Sequence, residues 1–260
     1  MAPIKFNIRE RLFKIWYFYV NKVDKNAEVL FMNYGYSNND QIINLDQKDE
    51  INRYSIQLYA HFTADVPIKD KDIVEIGSGR GGGLNFLTKT FKPTTAIGVE
   101  LDKRAITFCN KYYTQDNLNF IQGDAQKLTL NNESCDIILN VESSHRYLNM
   151  QSFLGEVYRT LRPGGHFLFT DFRYDYEIDE LNKQLELSGL KVVKERNINQ
   201  EVITALELDD SRKRNLVKKL TPKFLNKIAL NFSGTIGSET YNQFVSNKYI
   251  YFSYILTKPA

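Results

Sequence analysis

Apolar and polar positions along the chain change their period near residue 70. Before that point, "FNIRERLFKIWYFYVNKV" and "EINRYSIQLYAHFTA" carry large apolar residues at the spacing of amphipathic helices. The stretch between them, "VLFMNYGYSNND", has no such period and is rich in Asn and Tyr. The pattern therefore predicts two helices joined by a loop over residues 1–65, which we interpret as an N-terminal helical cap or lid.

From Asp72 onwards, short apolar runs alternate with helical segments. The predicted strands are "DIVEIG", "TTAIGVE", "LNFIQGD", "SCDIILNV", "HFLFTDF" and "LKVVKERN". The predicted helices are "GGLNFLTKTF", "KRAITFCNKYY", "MQSFLGEVYRTL" and "IDELNKQLELSG". Because strands that alternate with helices are joined by right-handed crossovers, the pattern indicates an α/β fold with a doubly wound parallel sheet.

The end of the chain departs from this alternation. Residues 199–230 are helical and basic, and "SNKYIYFSYILTK" then predicts a final strand that is antiparallel or at an edge, because its residues alternate. We therefore divide the chain into the cap (1–65), a ligand-binding core (66–198), a helical insertion (199–240) and the final strand (241–260). An insertion at this point is expected at the carboxyl edge of the sheet, where it can cover a ligand crevice.

Composition narrows the class of protein. The chain has 260 residues, 42% hydrophobic and 25% charged, which fits one large soluble domain. A net charge of +3 is too small to imply nucleic acid, and no apolar run is long enough to cross a membrane. Without a signal peptide, and with two isolated cysteines (Cys109 and Cys135), we predict a cytoplasmic protein with reduced thiols. No metal site is predicted, since no cluster has convincing ligand spacing.

The glycine-rich stretch "IVEIGSGRGGGLNFL" carries the strongest signal. Gly77, Gly79 and Gly82 fit the G-x-G-x-x-G spacing between a strand and a helix, where backbone N–H groups and a positive helix end meet. This spacing alone permits a dinucleotide such as NAD, or a turn that binds nothing. Glu75, two residues before the first glycine, favours a positively charged ligand instead.

Acidic residues follow the next two strands. Glu100 ends the second strand, where a carboxylate can accept hydrogen bonds from both hydroxyls of a ribose. Asp124 follows the third strand and can accept a hydrogen bond from an adenine amino group. A solvated acid at Glu100 and a turn aspartate at Asp124 stay as alternatives. The order of the sites on consecutive strand ends is more specific than any one of them.

Together, "VEIGSGRGG", "GVELD", "GDAQKL", "CDIILNVESSHRY" and "LRPGGHFLFTDF" resemble class I S-adenosylmethionine-dependent methyltransferases. With "VLFMNYGY", "EINRYSIQLY" and "NINQEVITALELDDSRKRNLV", the resemblance extends over nearly the whole chain to the phthiotriol/phenolphthiotriol dimycocerosate methyltransferases and their glycopeptidolipid relatives. It implies a Rossmann-like sheet of seven strands with the last strand reversed. It also implies S-adenosylmethionine as cofactor, and O-methylation of hydroxyls on lipid or polyketide chains.

The resemblance assigns residues to the methionine end of the cofactor. Glu75 and the loop with Gly77, Gly79 and Gly81 would hold this end, and Asn140 at the end of the fourth strand would lie beside it.

It also assigns residues to the adenosine end. Glu100 and Leu101 would take the ribose and one adenine face, and Asp124 and Ala125 would bind the adenine edge. Tyr34 in "NYGY" would close over the cofactor.

The segment "NVESSHRYLN" follows the fourth strand and should face the methyl group. An alcohol needs its proton removed before it can accept a methyl group, and His145 suits a general base. A loop histidine that only shapes the pocket is the alternative. Glu142 is expected to orient the imidazole or to bind substrate. Asp171, His61 and His166 are interpreted as structural residues.

The acceptor and its partners are less determined. The fourth-strand loop lacks the N/D-P-P-Y/F motif of enzymes that methylate DNA bases, so a small-molecule, polyketide or lipid substrate is favoured. The basic stretch 211–227 could contact an anionic membrane surface or an acyl-carrier protein, or be a solvated helix face.

Three other functions stay open besides O-methylation. They are C- or N-methylation of a sterol-like or amine natural product, cofactor binding without transfer, and NAD-dependent oxidoreduction. The oligomeric state also stays open.

Overall fold

The computed structural model describes residues 17–24, 26–38 and 43–260, and in this part seven strands form one sheet in the order β3-β2-β1-β4-β5-β7-β6. The strands are β1 (Asp72–Ile76), β2 (Thr95–Glu100), β3 (Leu118–Gln122), β4 (Cys135–Val141), β5 (Leu161–Tyr174), β6 (Lys191–Asn197) and β7 (Tyr249–Thr257). Strands β1 to β5 pair in parallel, whereas β7 is antiparallel to both β5 and β6. The predicted α/β fold with a reversed last strand is confirmed. The edge strands of the sheet are β3 and β6, so β7 is not an edge strand.

Helices connect the strands as predicted. They are α1 (Arg53–Thr63), α2 (Gly82–Phe91), α3 (Lys103–Tyr112), α4 (Met150–Thr160), α5 (Ile178–Leu187), α6 (Asn199–Leu208), α7 (Asp210–Leu220), α8 (Asn226–Phe232) and α9 (Glu239–Val245). Residues 17–23 are also helical, while residues 6–16 of the first predicted helix lie outside the described residues. None of the described helices is long and apolar enough to cross a membrane.

Local signals explain where the elements begin. The side chain of Asp102 accepts a hydrogen bond from the backbone N–H of Arg104 and caps α3, and Asn149 caps α4 in the same way. Strand β5 begins at Leu161 and not at His166 as predicted, because Leu161 already pairs with Cys135 before the register shifts. The "RPGG" stretch therefore belongs to an irregular strand and not to a turn.

Two apolar layers cover the sheet. Helices α1, α2, α3, α6 and α9 pack on one face, with buried residues such as Leu58, Leu84 and Val202. Helices α4 and α5 pack on the other face, with Phe153 and Leu185. Since both faces are covered, the central strands are buried on both sides, which is why their sequences are continuous apolar runs.

An ion pair with no exposed side-chain surface ties the N-terminal segment to the glycine loop. Arg80 lies in this loop and contacts the Asp24 carboxylate at 3.1 Å. The guanidinium carbon of Arg80 lies 3.7 Å from the centroid of the Phe108 ring. The guanidinium also donates a hydrogen bond to the side-chain oxygen of Asn21. Because Asp24 directly follows the helical residues 17–23, this contact holds them over the loop.

We predict that Asp24→Asn lowers the free energy of unfolding by about 3 kcal/mol, because it leaves the buried Arg80 charge uncompensated. Urea denaturation measures this change. The matched control is Asp65→Asn, which removes an ion pair with Lys194 whose side chains are 33% and 44% exposed. It should cost less than about 1 kcal/mol. Equal, small losses in the two variants would contradict the importance of the buried pair.

Candidate active site

A cavity of about 1100 Å³ opens at the carboxyl ends of β1, β2, β3 and β4. Its wall combines the glycine loop, the strand ends, residues of the N-terminal segment and Phe232 of α8. The sequence-predicted site residues that line it are Tyr34, Gly77, Gly79, Glu100, Leu101, Asp124, Ala125, Glu142 and His145. Parallel sheets bind ligands at this edge, at the point where the strand order reverses.

Three further predicted residues lie behind this wall. A Cβ at Gly81 would lie 2.6 Å from the ring of Phe120 in β3 and 2.8 Å from that of Tyr113, directly after α3. The hydroxyl of Tyr59 donates to Glu75 at 2.5 Å, and burial raises the pKa of this carboxyl group to about 8. The amide of Asn140 donates to the backbone carbonyl of Ile76 at 2.8 Å, which joins the ends of β1 and β4. These residues support the wall from behind.

The glycines are needed by the protein's own packing as well as by a ligand. A Cβ at Gly82 would lie 2.5 Å from the backbone oxygen of Leu30, and one at Gly83 would lie 1.8 Å from the Tyr59 ring. Gly79 has a positive φ of 54°, and a Cβ there would meet only the Tyr17 hydroxyl oxygen, at 3.9 Å, so this position is open towards the cavity. The sequence did not reveal that the N-terminal segment and α1 press on this loop.

Two acidic side chains line the part of the cavity where the sequence predicts the adenosine of the cofactor. Glu100 accepts backbone hydrogen bonds from Gly79 and Asp102, both at 3.0 Å, and burial raises the pKa of its carboxyl group. Asp124 accepts from the backbone of Gln126 through one carboxylate oxygen. Because each carboxylate oxygen has two acceptor positions, both groups can accept further hydrogen bonds from a ligand.

The carboxylate of Asp171, within β5, organises the turn Ser144–Arg146. It accepts hydrogen bonds from the Ser144 hydroxyl (2.7 Å), from the His145 backbone (3.0 Å) and from the His145 ring through Nδ1 (2.7 Å). Burial opposes its ionisation, yet His145 and Arg173 hold the pKa of Asp171 well below its ordinary value. The turn is therefore fixed by a buried negative charge.

This arrangement defines the state of His145. Nδ1 carries the proton that bonds Asp171, and Nε2 accepts a hydrogen bond from Arg146 Nε at 2.9 Å. Burial lowers the pKa of the imidazole to about 4, so the ring is neutral at pH 7. It is Asp171, and not Glu142, that orients the imidazole. The sequence analysis interpreted Asp171 as a structural residue, and the structure places it within β5 as the partner of this imidazole.

Glu142 instead joins the cap to the sheet. Its carboxyl group accepts hydrogen bonds from the backbone of Tyr34 (2.7 Å) and the hydroxyl of Tyr251 (2.6 Å). Burial raises its pKa to about 8. Its backbone has a φ of 45°, which a non-glycine residue seldom adopts. Glu142 thereby fixes Tyr34 on the cavity wall, where the ring packs on Phe172.

Comparison of the sequence with known proteins identifies the family to which the chain belongs. Residues 74–169 match a family model described as "Methyltransferase domain". The chain is 36% identical to a fatty-acid O-methyltransferase of Mycolicibacterium smegmatis, over 99% of this chain and 93% of that protein. It is 33% identical to the phthiotriol/phenolphthiotriol dimycocerosates methyltransferase of Mycobacterium tuberculosis, over 96% of this chain and 93% of that protein.

Solved structures share the fold. A putative sarcosine dimethylglycine methyltransferase from Galdieria sulphuraria has a TM-score of 0.72 at 13% identity, covering 96% of this chain and 98% of that one. A geranyl diphosphate C-methyltransferase from Streptomyces coelicolor A3(2), solved with S-adenosyl-L-homocysteine, has a TM-score of 0.65 at 14% identity, covering 96% and 98%. At these identities the likeness shows the fold alone.

We predict that Glu100→Gln weakens binding of S-adenosylhomocysteine about tenfold or more, because a hydrogen bond to a charged acceptor contributes about 1.5–3 kcal/mol. Isothermal titration calorimetry measures the affinity. The control is Glu195→Gln on the exposed edge strand β6, which should bind as the wild type does. Unchanged affinity in Glu100→Gln would mean that this carboxylate does not hold the nucleoside.

Proposed function

Because the chain belongs to the S-adenosylmethionine-dependent methyltransferases, we propose that it transfers the methyl group to an oxygen atom of a lipid acceptor. One observation carries this proposal. A single cavity joins the residues expected to bind the nucleoside with the Ser144–Arg146 turn and with apolar side chains. A cofactor and an apolar acceptor can therefore lie side by side.

The residues present fit the cofactor. A buried polar atom of the glycine loop, Ser78 Oγ, has no hydrogen-bond partner among the described residues, and Ser78 lines the cavity. Such an atom can form a hydrogen bond to a bound ligand. S-adenosylmethionine supplies an activated methyl group on a sulfonium. The protein therefore has to bind the acceptor, align its oxygen with the methyl group and exclude water. We assign Glu100 to the ribose, and Asp124 to the adenine.

The other cofactor assignments follow the position of each residue. Leu101 and Ala125 would contact the adenine, and Gly77 and Gly79 would pass close to the methionine portion. Tyr34 would close the cavity over it. Because Glu75, Gly81 and Asn140 lie behind the wall, we propose that they act by holding the loop in shape.

We place the acceptor against the apolar and aromatic part of the cavity wall. This part includes Leu30, Phe31, Met32, Phe172 and Phe232. A pocket with these side chains and few polar groups suits an alkyl chain. The two relatives at 33–36% identity are named for fatty acids and for phthiotriol dimycocerosates. A lipid acceptor is the substrate class that both observations support.

The role of His145 depends on the acceptor oxygen. A hydroxyl needs a general base, and the neutral imidazole with Asp171 behind it has the arrangement of one. To accept the proton, however, Nε2 would have to release the Arg146 N–H that it now binds. For an acceptor that is already ionised, no base is needed. Glu142 would act through Tyr34 rather than through the imidazole.

The cap (1–65) and the insertion (199–240) would close this cavity from two sides of the core (66–198). Lys213 of α7 is buried and donates to the backbone oxygen of Tyr34 at 3.2 Å, so cap and insertion contact each other. Phe232 of α8 reaches the cavity wall. The cap and the insertion, which both lie outside the sheet, would thus enclose the edge of the sheet where the cofactor is proposed to bind.

We also place the protein in the cytoplasm, with contact to an anionic membrane surface through part of the basic stretch 211–227. Cys109 and Cys135 are free and buried, which suits a reducing compartment. Within the stretch, Arg212 and Arg214 pair with acidic residues of their own helix. Phe224 is 81% exposed between exposed lysines, and this combination suits a lipid headgroup region.

Transfer of a ¹³C-labelled methyl group from S-adenosylmethionine tests the function. We expect purified protein to label an oxygen of a long-chain fatty acid or of the matched fatty alcohol, and NMR identifies the atom that carries the label. A label on nitrogen or carbon would contradict O-methylation. Tight binding of S-adenosylhomocysteine with no transfer to either lipid would indicate a binding protein.

We predict that Phe224→Ser weakens binding to phosphatidylglycerol vesicles about tenfold, because burial of a Phe side chain contributes about 1.5–3 kcal/mol. Co-sedimentation with vesicles measures the affinity, and phosphatidylcholine vesicles show the dependence on charge. Leu187→Ser is the matched control, since Leu187 is 78% exposed at the end of α5. If both variants bind as the wild type does, this surface is only a solvated helix face.

A further inference from the structure

A second cavity, of about 100 Å³, lies between the cap and the insertion. Three polar side chains line it although they are buried: Asn52 and Ser55 at the beginning of α1, and Lys213 of α7, which are 9%, 4% and 8% exposed. Much of the remaining wall is apolar and includes Val29 and Val217. Because buried polar groups are normally hydrogen-bonded, the bonds that these three side chains lack indicate what the second cavity can hold.

Lys213 is a buried cation without an ionic partner. Its ammonium group donates a hydrogen bond to the backbone oxygen of Tyr34 at 3.2 Å, and it forms no ion pair within the described residues. An ammonium group carries several N–H donors, so this bond leaves donors available. Burial lowers the pKa of Lys213 to about 8, so most of it is charged at pH 7. A buried charge is costly unless it is paired, and an anion in the second cavity would stabilise it.

The carboxyl groups that act on Lys213 are all bonded to other side chains. They are Asp209, with Arg212 at 2.6 Å, Asp210, with Arg214 at 2.7 Å, and Glu142, with Tyr251 at 2.6 Å. On the wall of the second cavity itself, the carboxylate of Glu28 is paired with Lys219 at 2.8 Å. Lys213 therefore has donors to offer and no carboxylate of its own.

The beginning of α1 supplies further donors. Asn52 is the N-cap residue of this helix, yet its side chain forms no capping hydrogen bond. The hydroxyl of Ser55, in the first turn, has no hydrogen-bond partner among the described residues. The N-terminal end of a helix also carries partial positive charge, which attracts anions. An ammonium, a hydroxyl, an amide and a helix N-terminus together are the groups that bind an oxyanion.

We propose that the second cavity binds a small oxyanion, such as inorganic phosphate, between Lys213 of the insertion and the Asn52 and Ser55 side chains of the cap. Tyr34 belongs to the walls of both cavities, and its backbone oxygen is bonded to Lys213. The bound anion therefore holds the cap against the insertion beside the active site. This role is independent of which acceptor is methylated.

Thermal unfolding with added phosphate tests the site, because a ligand that binds only the folded protein raises Tm. Phosphate also stabilises proteins by exclusion from their surface, so variants are compared at one ionic strength, with sodium chloride replacing phosphate. We expect the Tm of the wild type to rise and saturate, and Lys213→Met to lack the saturating part. Lys218→Met is the matched control, since Lys218 is exposed on the same helix, and it should behave as the wild type does.

Equal rises in the wild type and in Lys213→Met would show that the second cavity holds only water, and the proposal would be wrong. Ser55→Ala covers the case in which Lys213→Met does not fold. It keeps the charge and removes one donor, so it should bind phosphate about threefold more weakly or worse. Wild-type affinity for phosphate in Ser55→Ala would then overturn the proposal.

The protonation of Lys213 gives a readout that a purely structural lysine would not show. An anion favours the charged form of an amine, so saturating phosphate should raise the pKa of Lys213 above its value of about 8. NMR of protein with ¹³C-labelled lysine measures this pKa, and the spectrum of Lys213→Met identifies the signal. A pKa that does not respond to phosphate would contradict the site.

Hydrogen exchange tests the contact between cap and insertion. We expect phosphate to slow exchange of the backbone amides around Tyr34 in the wild type and not in Lys213→Met, because local opening of the cap would release the anion. Unchanged exchange in the wild type would contradict this role of the anion.

Vesicle binding separates a free ion from a lipid headgroup. Lys213→Met should bind phosphatidylglycerol vesicles as the wild type does. If it loses vesicle binding while inorganic phosphate has no effect on the wild type, the ligand is a headgroup and the proposal is wrong.

Discussion

The buried carboxylate of Asp171 is the interaction on which the geometry of the active site depends. Asp171 lies within β5 and accepts hydrogen bonds from Ser144 and from both the backbone and the ring of His145. A buried charge of this kind is tolerated only when several donors satisfy it together, so the turn after β4 has one low-energy arrangement. That arrangement brings Arg146 and His145 to the cavity wall. The polar chemistry of the acceptor site is therefore determined by a contact between a residue of β5 and the turn that follows β4.

A second constraint is that the sheet cannot enclose the cavity alone. The carboxyl ends of parallel strands form an open edge. Residues of the N-terminal segment, such as Phe31 and Tyr34, and Phe232 of α8 complete the cavity wall there. Arg80 binds the cap to the glycine loop through Asp24, and Glu142 binds it to the end of β4 through Tyr34. Both contacts are buried and polar, so they are costly to break and specific in geometry. Exclusion of water from methyl transfer follows from these contacts.

Much of the fold could be predicted from the sequence because the period of apolar residues is a local property. The bounds of α2 agree with the pattern, and the reversed β7 follows from its alternation. The contacts that complete the site are between residues distant in sequence, and periodicity carries no information about them. The hydroxyl of Tyr59 donates a hydrogen bond to Glu75, and the hydroxyl of Tyr251 donates one to Glu142. The guanidinium of Arg80 donates a hydrogen bond to Asp24. The choice of His145 as a base rested on its ordinary pKa, which burial changes.

The most direct test of this account is a crystal structure with S-adenosylhomocysteine and dodecanoate bound together. The account predicts the ribose on Glu100, the adenine beside Asp124, and the dodecanoate head group beside the Ser144–Arg146 turn with one oxygen facing the sulfur. The alkyl chain should lie against Phe31 and Phe232. A carboxylate bound away from the Ser144–Arg146 turn, or an adenosine bound away from Glu100, would contradict the account.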